Sequence, residues 1–252
     1  MPKAKAAAAK ALELDPDLAE AHVSMGGVLM FYDFDWPAAE RALTLAIELS
    51  PNLAEAHDYY AMYLAAVGRH AEAADESRRA RELDPLSVLI LADAGWVHYL
   101  AKNYDQMVEM NRRALEMDPN FWLALVGLGL GYERQGKFPE AIATLEKARA
   151  ADPNPAILEM LAGAYAASGR KDKARKLLAE LTARAATQYV CPFEVATVHA
   201  TLGDKKSTLE WLEKGYDERA DCMPWISSDP KLDDLRGYPG FDDLMRRMAF
   251  PR

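Results

Sequence analysis

The sequence predicts an all-α fold in which antiparallel helix pairs stack into a right-handed superhelical solenoid closed by a C-terminal capping helix. Three observations predict it. Five segments end in an acidic-aliphatic stretch followed by proline: ALELDP, AIELSP, ARELDP, ALEMDP and ARAADP. Their prolines, Pro16, Pro51, Pro85, Pro119 and Pro153, stand at intervals of 35, 34, 34 and 34 residues. A period of that length marks an array of one supersecondary unit. Small residues then recur in register with the prolines, at Gly26, Ala61, Gly95, Gly129, Ala162 and Ala196, with further columns at Gly68, Gly136, Gly169 and Gly203 and at Ala39, Ala73, Ala141 and Ala174. Between these markers apolar residues recur three or four apart, as in Leu123, Leu125, Leu128 and Tyr132. No run alternates as a strand would.

Each column has a physical reason, so each element can be placed. Small residues allow two antiparallel helices to approach closely. A glycine after the first helix ends it in the left-handed conformation, and proline after the second prevents that helix from continuing. The order is an orphan second helix, 3–15, then six units: 19–53, 54–87, 88–121, 122–154, 155–188 and 189–222. An array over 1–222 is thus followed by a tail, 223–252. The chain starts in mid-repeat, as a piece of a longer array would, and the exposed orphan helix could pair with a second copy to make a homodimer. In the first unit the longer turn YDFDWP is expected to project Asp33 and Asp35. In the third, Lys102-Asn103 replaces the glycine, with Asn103 suited to the left-handed turn. In the tail, Trp225, Leu232, Leu235, Phe241, Leu244, Met245 and Met248 form an apolar stripe at helical spacing, expected to cover the open face of the last repeat.

The pattern resembles the tetratricopeptide repeat over almost the whole chain. GRHAEAADESRRARELDP and GKFPEAIATLEKARAADP match the second half of that repeat closely. The segments YDFDWPAAERALTLAIELSP and LEWLEKGYDERAD, with the tail, are similar to C-terminal repeat regions of bacterial winged-helix regulators, serine/threonine kinases and nucleotide cyclases. That resemblance implies a docking or sensory appendage in bacterial signalling. It brings no catalytic residue with it, and it implies a cytoplasmic location, or a periplasmic one if the array follows a membrane-spanning regulator.

Composition excludes several classes of function. The formal net charge of −9 over 252 residues offers no basic stripe for nucleic acid. The longest uncharged apolar stretch, 121–132, is too short to span a bilayer. The closely spaced glycines of GLGLGYERQG follow no strand, which removes a dinucleotide loop. Five scattered histidines form no ligand spacing, so no metal and no cofactor is expected. His22 and His57 hold equivalent repeat positions, as packing residues would. Cys191 and Cys222 could form a disulfide, but the plainer reading is two small apolar residues in helix contacts. No nucleophile sits in a strained turn, so no enzyme is expected.

In tetratricopeptide arrays the first helices line a concave channel. Carried over by position, that lining is Glu55, Asp58, Tyr59 and Met62, then Leu89, Asp93, Trp96 and Tyr99, then Leu123, Val126, Leu130, Glu133 and Arg134. Glu20, Met30, Phe31, Glu159, Met160, Phe193, Glu194 and Thr197 extend it. The lining is acidic and aromatic, with Arg134 its one clear cation. It lacks the Lys/Asn clamp that chaperone-docking members of the family use for a terminal carboxylate. The expected partner is therefore a peptide or helix with apolar anchors and basic flanks, with Tyr59, Trp96 and Tyr99 as contact area. Two alternatives stand beside it: the aromatic stripe packs inside the superhelix and fills the groove, or a small molecule is sensed there on behalf of a separate effector domain.

Overall fold

The computed structural model describes residues 1–251. These form fourteen α-helices and no strand: α1 (Pro2–Leu14), α2 (Ala19–Val28), α3 (Trp36–Leu49), α4 (Ala54–Ala66), α5 (His70–Leu83), α6 (Val88–Leu100), α7 (Tyr104–Met117), α8 (Trp122–Arg134), α9 (Phe138–Ala151), α10 (Pro155–Ala167), α11 (Lys171–Arg184), α12 (Pro192–Leu202), α13 (Lys205–Asp217) and α14 (Pro239–Met248). From α2 to α13 consecutive helices pack as hairpins, and the first helices α2, α4, α6, α8, α10 and α12 pack side by side along the concave wall. The orphan helix α1 lies on α2 and buries only Ala8.

The hairpins are held together by volume exchange at the small-residue column. A Cβ on Gly26 would lie 2.6 Å from Cγ of Leu43, and one on Gly129 would lie 2.5 Å from Cγ of Leu145. Where the column carries Ala61, the facing position 77 is the smaller Ser77, itself buried. At Gly26 and Gly129, glycine on one helix thus makes room for leucine on the other.

Gly68, Gly136, Gly169 and Gly203 all adopt positive φ, from +75° to +86°, and end the first helices as expected. The third hairpin departs from expectation. Lys102 takes the left-handed conformation (φ +58°), while Asn103 stays at φ −93° and leads into α7. The turn needs its left-handed residue at one fixed place, directly after the helix. The register set by α6 outweighs the preference of asparagine.

His22 and His57 tie each unit to the preceding proline turn, through Nε2 to the Pro16 carbonyl (2.8 Å) and to the Pro51 carbonyl (3.0 Å). Asp33 does not project, while Asp35 stays exposed but serves as a helix cap. After α2 the chain widens into a π-helical turn, Leu29–Asp33, and Phe34 follows with φ +56°. Asp33 is drawn in between Lys5 (2.5 Å) and Arg219 (3.6 Å), and Asp35 caps α3 by accepting from the Ala38 amide.

The tail differs most from its expectation. Residues 223–235 are not a continuation of a helical stripe but two 3-10 turns, Met223–Ser227 and Pro230–Leu235. Asp229 and Pro230 break the segment, since the Asp229 side chain accepts the Lys231 amide and proline removes a donor. This segment does not stop at the last repeat. It crosses the concave channel as far as α4, where Ser228 donates to the Ala65 carbonyl (3.0 Å) and Ser227 to that of Ala66. Helix α14 then packs on α13, and the end of the chain returns to the first unit. There Trp36 Nε1 donates to the Met248 carbonyl (2.7 Å), and Phe250 stacks on the Trp36 ring at 4.4 Å.

Candidate ligand groove

The tail divides the predicted groove. Its N-terminal part remains an open cleft of about 430 Å³, to which Glu55, Asp58, Tyr59, Met62 and Asp93 all contribute. Beyond it, the tail lies over α6, α8 and α10, and a second cavity of about 260 Å³ remains between the tail and the walls of α6, α8, α10 and α12. Trp96 lines this second space, sharing it with Met62 and Asp93. Tyr99, Glu133 and Arg134 lie beneath the tail.

The periodic register of α4 and α6 explains the cleft. Asp93 holds in α6 the repeat position that Tyr59 holds in α4, one place beyond that of Asp58, and the packing of α4 on α6 brings the two carboxyl groups together. Asp58 is buried, and burial followed by the charge of Asp93 raises its pKa well above the usual carboxylate range. Burial raises Asp93 to about 6, offset by its hydrogen bond with Asp58. Each carboxyl group therefore opposes ionisation of the other, an opposition that a cation placed between them would relieve. Tyr59 at their side is also pushed up, by burial and then by Glu55 and Asp58.

Under the tail the carboxylates are already paired. Lys231 Nζ donates to Glu159 at 2.6 Å, with both side chains almost wholly buried. Glu159 accepts a second bond from the Thr197 hydroxyl (2.7 Å). Burial alone would lower the lysine pKa, but Glu159, Asp229 and Glu133 around it outweigh that and hold it above its ordinary value. Tyr99 donates to Asp229 at 2.7 Å. Arg134 lies over the Tyr99 ring (5.8 Å) and 3.5 Å from Glu133, whose pKa burial raises. The tail thus supplies a cation, Lys231, which a reading based on the first helices alone does not include.

The aromatic lining is engaged in the same way. Trp225 of the tail meets Trp96 edge-on at 5.7 Å and Phe31 at 5.7 Å, and Trp96 lies against Tyr99 at 4.9 Å. Packing within the superhelix is therefore the position of Tyr99, and the chain's own tail fills this half of the channel. Met30 and Thr197 are buried away from solvent, and Glu20 is exposed outside both spaces.

Cys191, the residue before α12, and Cys222, the residue before the tail, are joined as a disulfide, with Cα atoms 6.6 Å apart. The reading of two unlinked packing residues is corrected. Sequence separation gives no sign of the approach, which the hairpin α12–α13 creates by bringing its two ends together. Among the described residues these cysteines and Asp221 form the one cluster of metal-type side chains, and its two sulfurs are already bonded to each other.

Helix hairpins stacked in register, with a channel walled by the first helix of each, define an α-solenoid of the kind that presents a concave binding face. Profiles of the tetratricopeptide repeat match residues 94–154 and 132–190. Residues 94–190 thus carry tetratricopeptide repeats. The fold of the chain is similar to that of a tetratricopeptide repeat protein from Parabacteroides merdae (TM-score 0.66, 12% identity, covering 97% of this chain and 91% of that one). It is also similar to PilF of Pseudomonas aeruginosa (TM-score 0.57, 20% identity, 92% and 96%). A third similar structure is PilW, a type IV pilus biogenesis factor (TM-score 0.61, 18% identity, 87% and 98%). At these identities the likeness is one of fold. No curated protein matches the chain in sequence.

Proposed function

We propose that the chain is a non-catalytic protein-interaction module whose open cleft between α4 and α6 takes a partner segment carrying a basic side chain beside an apolar anchor. The observation that carries this reading is the Asp58–Asp93 pair, two carboxyl groups held together at the floor of an accessible cleft with Glu55 and Tyr59 beside them. A lysine or arginine placed there lets both ionise, and Tyr59, Met62 and Phe31 offer apolar area next to it. The tail supports the same chemistry, since it engages the rest of the channel with one lysine, Lys231, and one tryptophan, Trp225. The remaining cleft suits a ligand of that composition.

Such a module fits an appendage to a signalling protein, in keeping with the resemblance of its sequence to repeat regions of bacterial regulators. The disulfide favours an oxidising compartment. The test is a set of short peptides with a lysine or arginine two to four positions from a leucine or phenylalanine, titrated by fluorescence anisotropy. Asp58→Lys and Asp93→Lys are expected to weaken binding at least tenfold relative to wild type. Equal affinities across the three proteins would remove this cleft as the binding site.

A further inference from the structure

The 260 Å³ cavity beside the tail is a second space, which shares Met62 and Asp93 with the open cleft. The tail narrows it, because Trp225, Asp229 and Lys231 form one of its walls. Its volume equals that of about nine water molecules at ~30 Å³ each. A body with one ring and a short chain fits that room. The walls are chiefly apolar and aromatic, which suits a small organic ligand oriented by a few polar groups.

Those polar groups are not equally occupied. Glu159 is taken by Lys231 and Thr197, Asp229 by Tyr99 and the Lys231 amide, and Asp93 by Asp58. Glu194, on the first turn of α12, is different. Its Oε2 is buried and has no hydrogen-bond partner, and the indole N–H of Trp96, which also lines the cavity, has none either. A buried acceptor without a donor is destabilising, more so when charged. The aromatic faces of Trp96, Trp122 and Trp225 add negative potential that a cation would meet.

We infer that this cavity is a binding site for a small amine with an apolar body, its ammonium group donating to Glu194 and its hydrocarbon part lying against Trp122, Phe193 and Met160. This goes beyond the peptide cleft and does not depend on it. Burial, followed by the charges of Glu159 and Asp221, raises Glu194 to about 8, and Lys231 and a hydrogen bond with the Cys191 backbone only partly offset them. Tyr189 is the other titratable group that senses it. Bound ammonium supplies the missing positive charge, so binding ionises Glu194 and releases its proton. Affinity then follows the ionised fraction of the free protein, which rises roughly eightfold between about pH 7 and pH 8.5 for a group titrating near 8.

The test uses the whole chain, with 2-phenylethylamine as probe and 2-phenylethanol as its neutral isostere, followed by calorimetry and by tryptophan fluorescence. The amine is expected to bind saturably, at least tenfold tighter than the alcohol, and more tightly as pH rises. Glu194→Gln is expected to abolish that preference while the alcohol still binds, which shows the cavity intact. Glu55→Gln, in the peptide cleft alone, leaves amine binding unchanged. Equal affinity for amine and alcohol in the wild-type protein overturns the assignment, as does an amine preference that survives Glu194→Gln. Absence of saturable binding by either probe at millimolar concentration overturns it as well. The wild-type comparison decides the matter even if the variant does not fold, and none of these outcomes bears on the Asp58–Asp93 cleft.

Discussion

Replacing Lys231 by methionine probes whether the tail is an integral part of the channel. The side chains of Lys231 and Glu159 are 2% and 4% exposed and their charged atoms lie 2.6 Å apart. Removing one member of such a pair leaves a buried charge uncompensated, which costs about 3–5 kcal/mol. The Thr197 hydroxyl still donates to Glu159 but brings no charge. The loss has an upper limit set by the fold itself. Once it exceeds the docking free energy of residues 223–235, the tail leaves the channel and water reaches Glu159. The expected outcome is therefore tail release before the helix pairs unfold. Two measurements report it: a urea-induced change in tryptophan fluorescence from Trp225 and Trp96 that precedes loss of helix ellipticity, and faster tryptic cleavage after Arg219 and Arg236. Adding Glu159→Gln to Lys231→Met removes the buried charge and is expected to recover most of the loss. The reasoning is refuted if Lys231→Met alone costs under about 1 kcal/mol, a value typical of an exposed pair, or if the second substitution makes matters worse.

Two further predictions follow from the same part of the molecule. Reducing the Cys191–Cys222 disulfide, whose cysteines are 31 residues apart, is expected to lower stability by about 3.5 kcal/mol on the chain-entropy account. Denaturation with and without reductant measures it, and a Cys191→Ser/Cys222→Ser protein indifferent to reductant serves as the control. Stability should also fall as pH rises from about 4.5 to about 8, because the folded chain holds protons on Glu194 (raised to about 8), Asp93 (about 6) and Asp58 that the unfolded chain has lost. The contribution is complete below the ordinary carboxylate range and disappears as pH passes the raised values. His70 and His98, whose pKa burial lowers, act in the opposite direction near neutral pH, so the deciding comparison is with Glu194→Gln. That variant is expected to lose less stability than wild type as pH rises toward 8, and parallel profiles contradict the burial of Glu194.

The sequence made the repeats legible because their determinants are local and recur. Gly26 facing Leu43, and Gly129 facing Leu145, repeat a match between two helices of one hairpin, and the proline and glycine columns mark where each helix stops. Stacking such hairpins in register also brings neighbouring positions of successive first helices together, so Asp58 meets Asp93, one place off its own equivalent. Seven of the residues assigned to the groove from their repeat positions, Phe31, Glu55, Asp58, Tyr59, Met62, Leu89 and Asp93, share one cleft. Tyr99, Glu133 and Arg134 obey the same register but lie under a segment that the register does not describe.

By itself, the sequence determined the hairpins, their turns and the acidic character of the concave wall. Each depends on neighbours within one repeat length. Only the tertiary structure decided the course of the tail, the joining of Cys191 to Cys222, and the placing of Lys231 on Glu159, 72 residues away in the chain. These contacts occur once and follow no period. They depend on how far the superhelix curves and on which buried charge lacks a partner, and both of those are settled only when all the repeats are stacked.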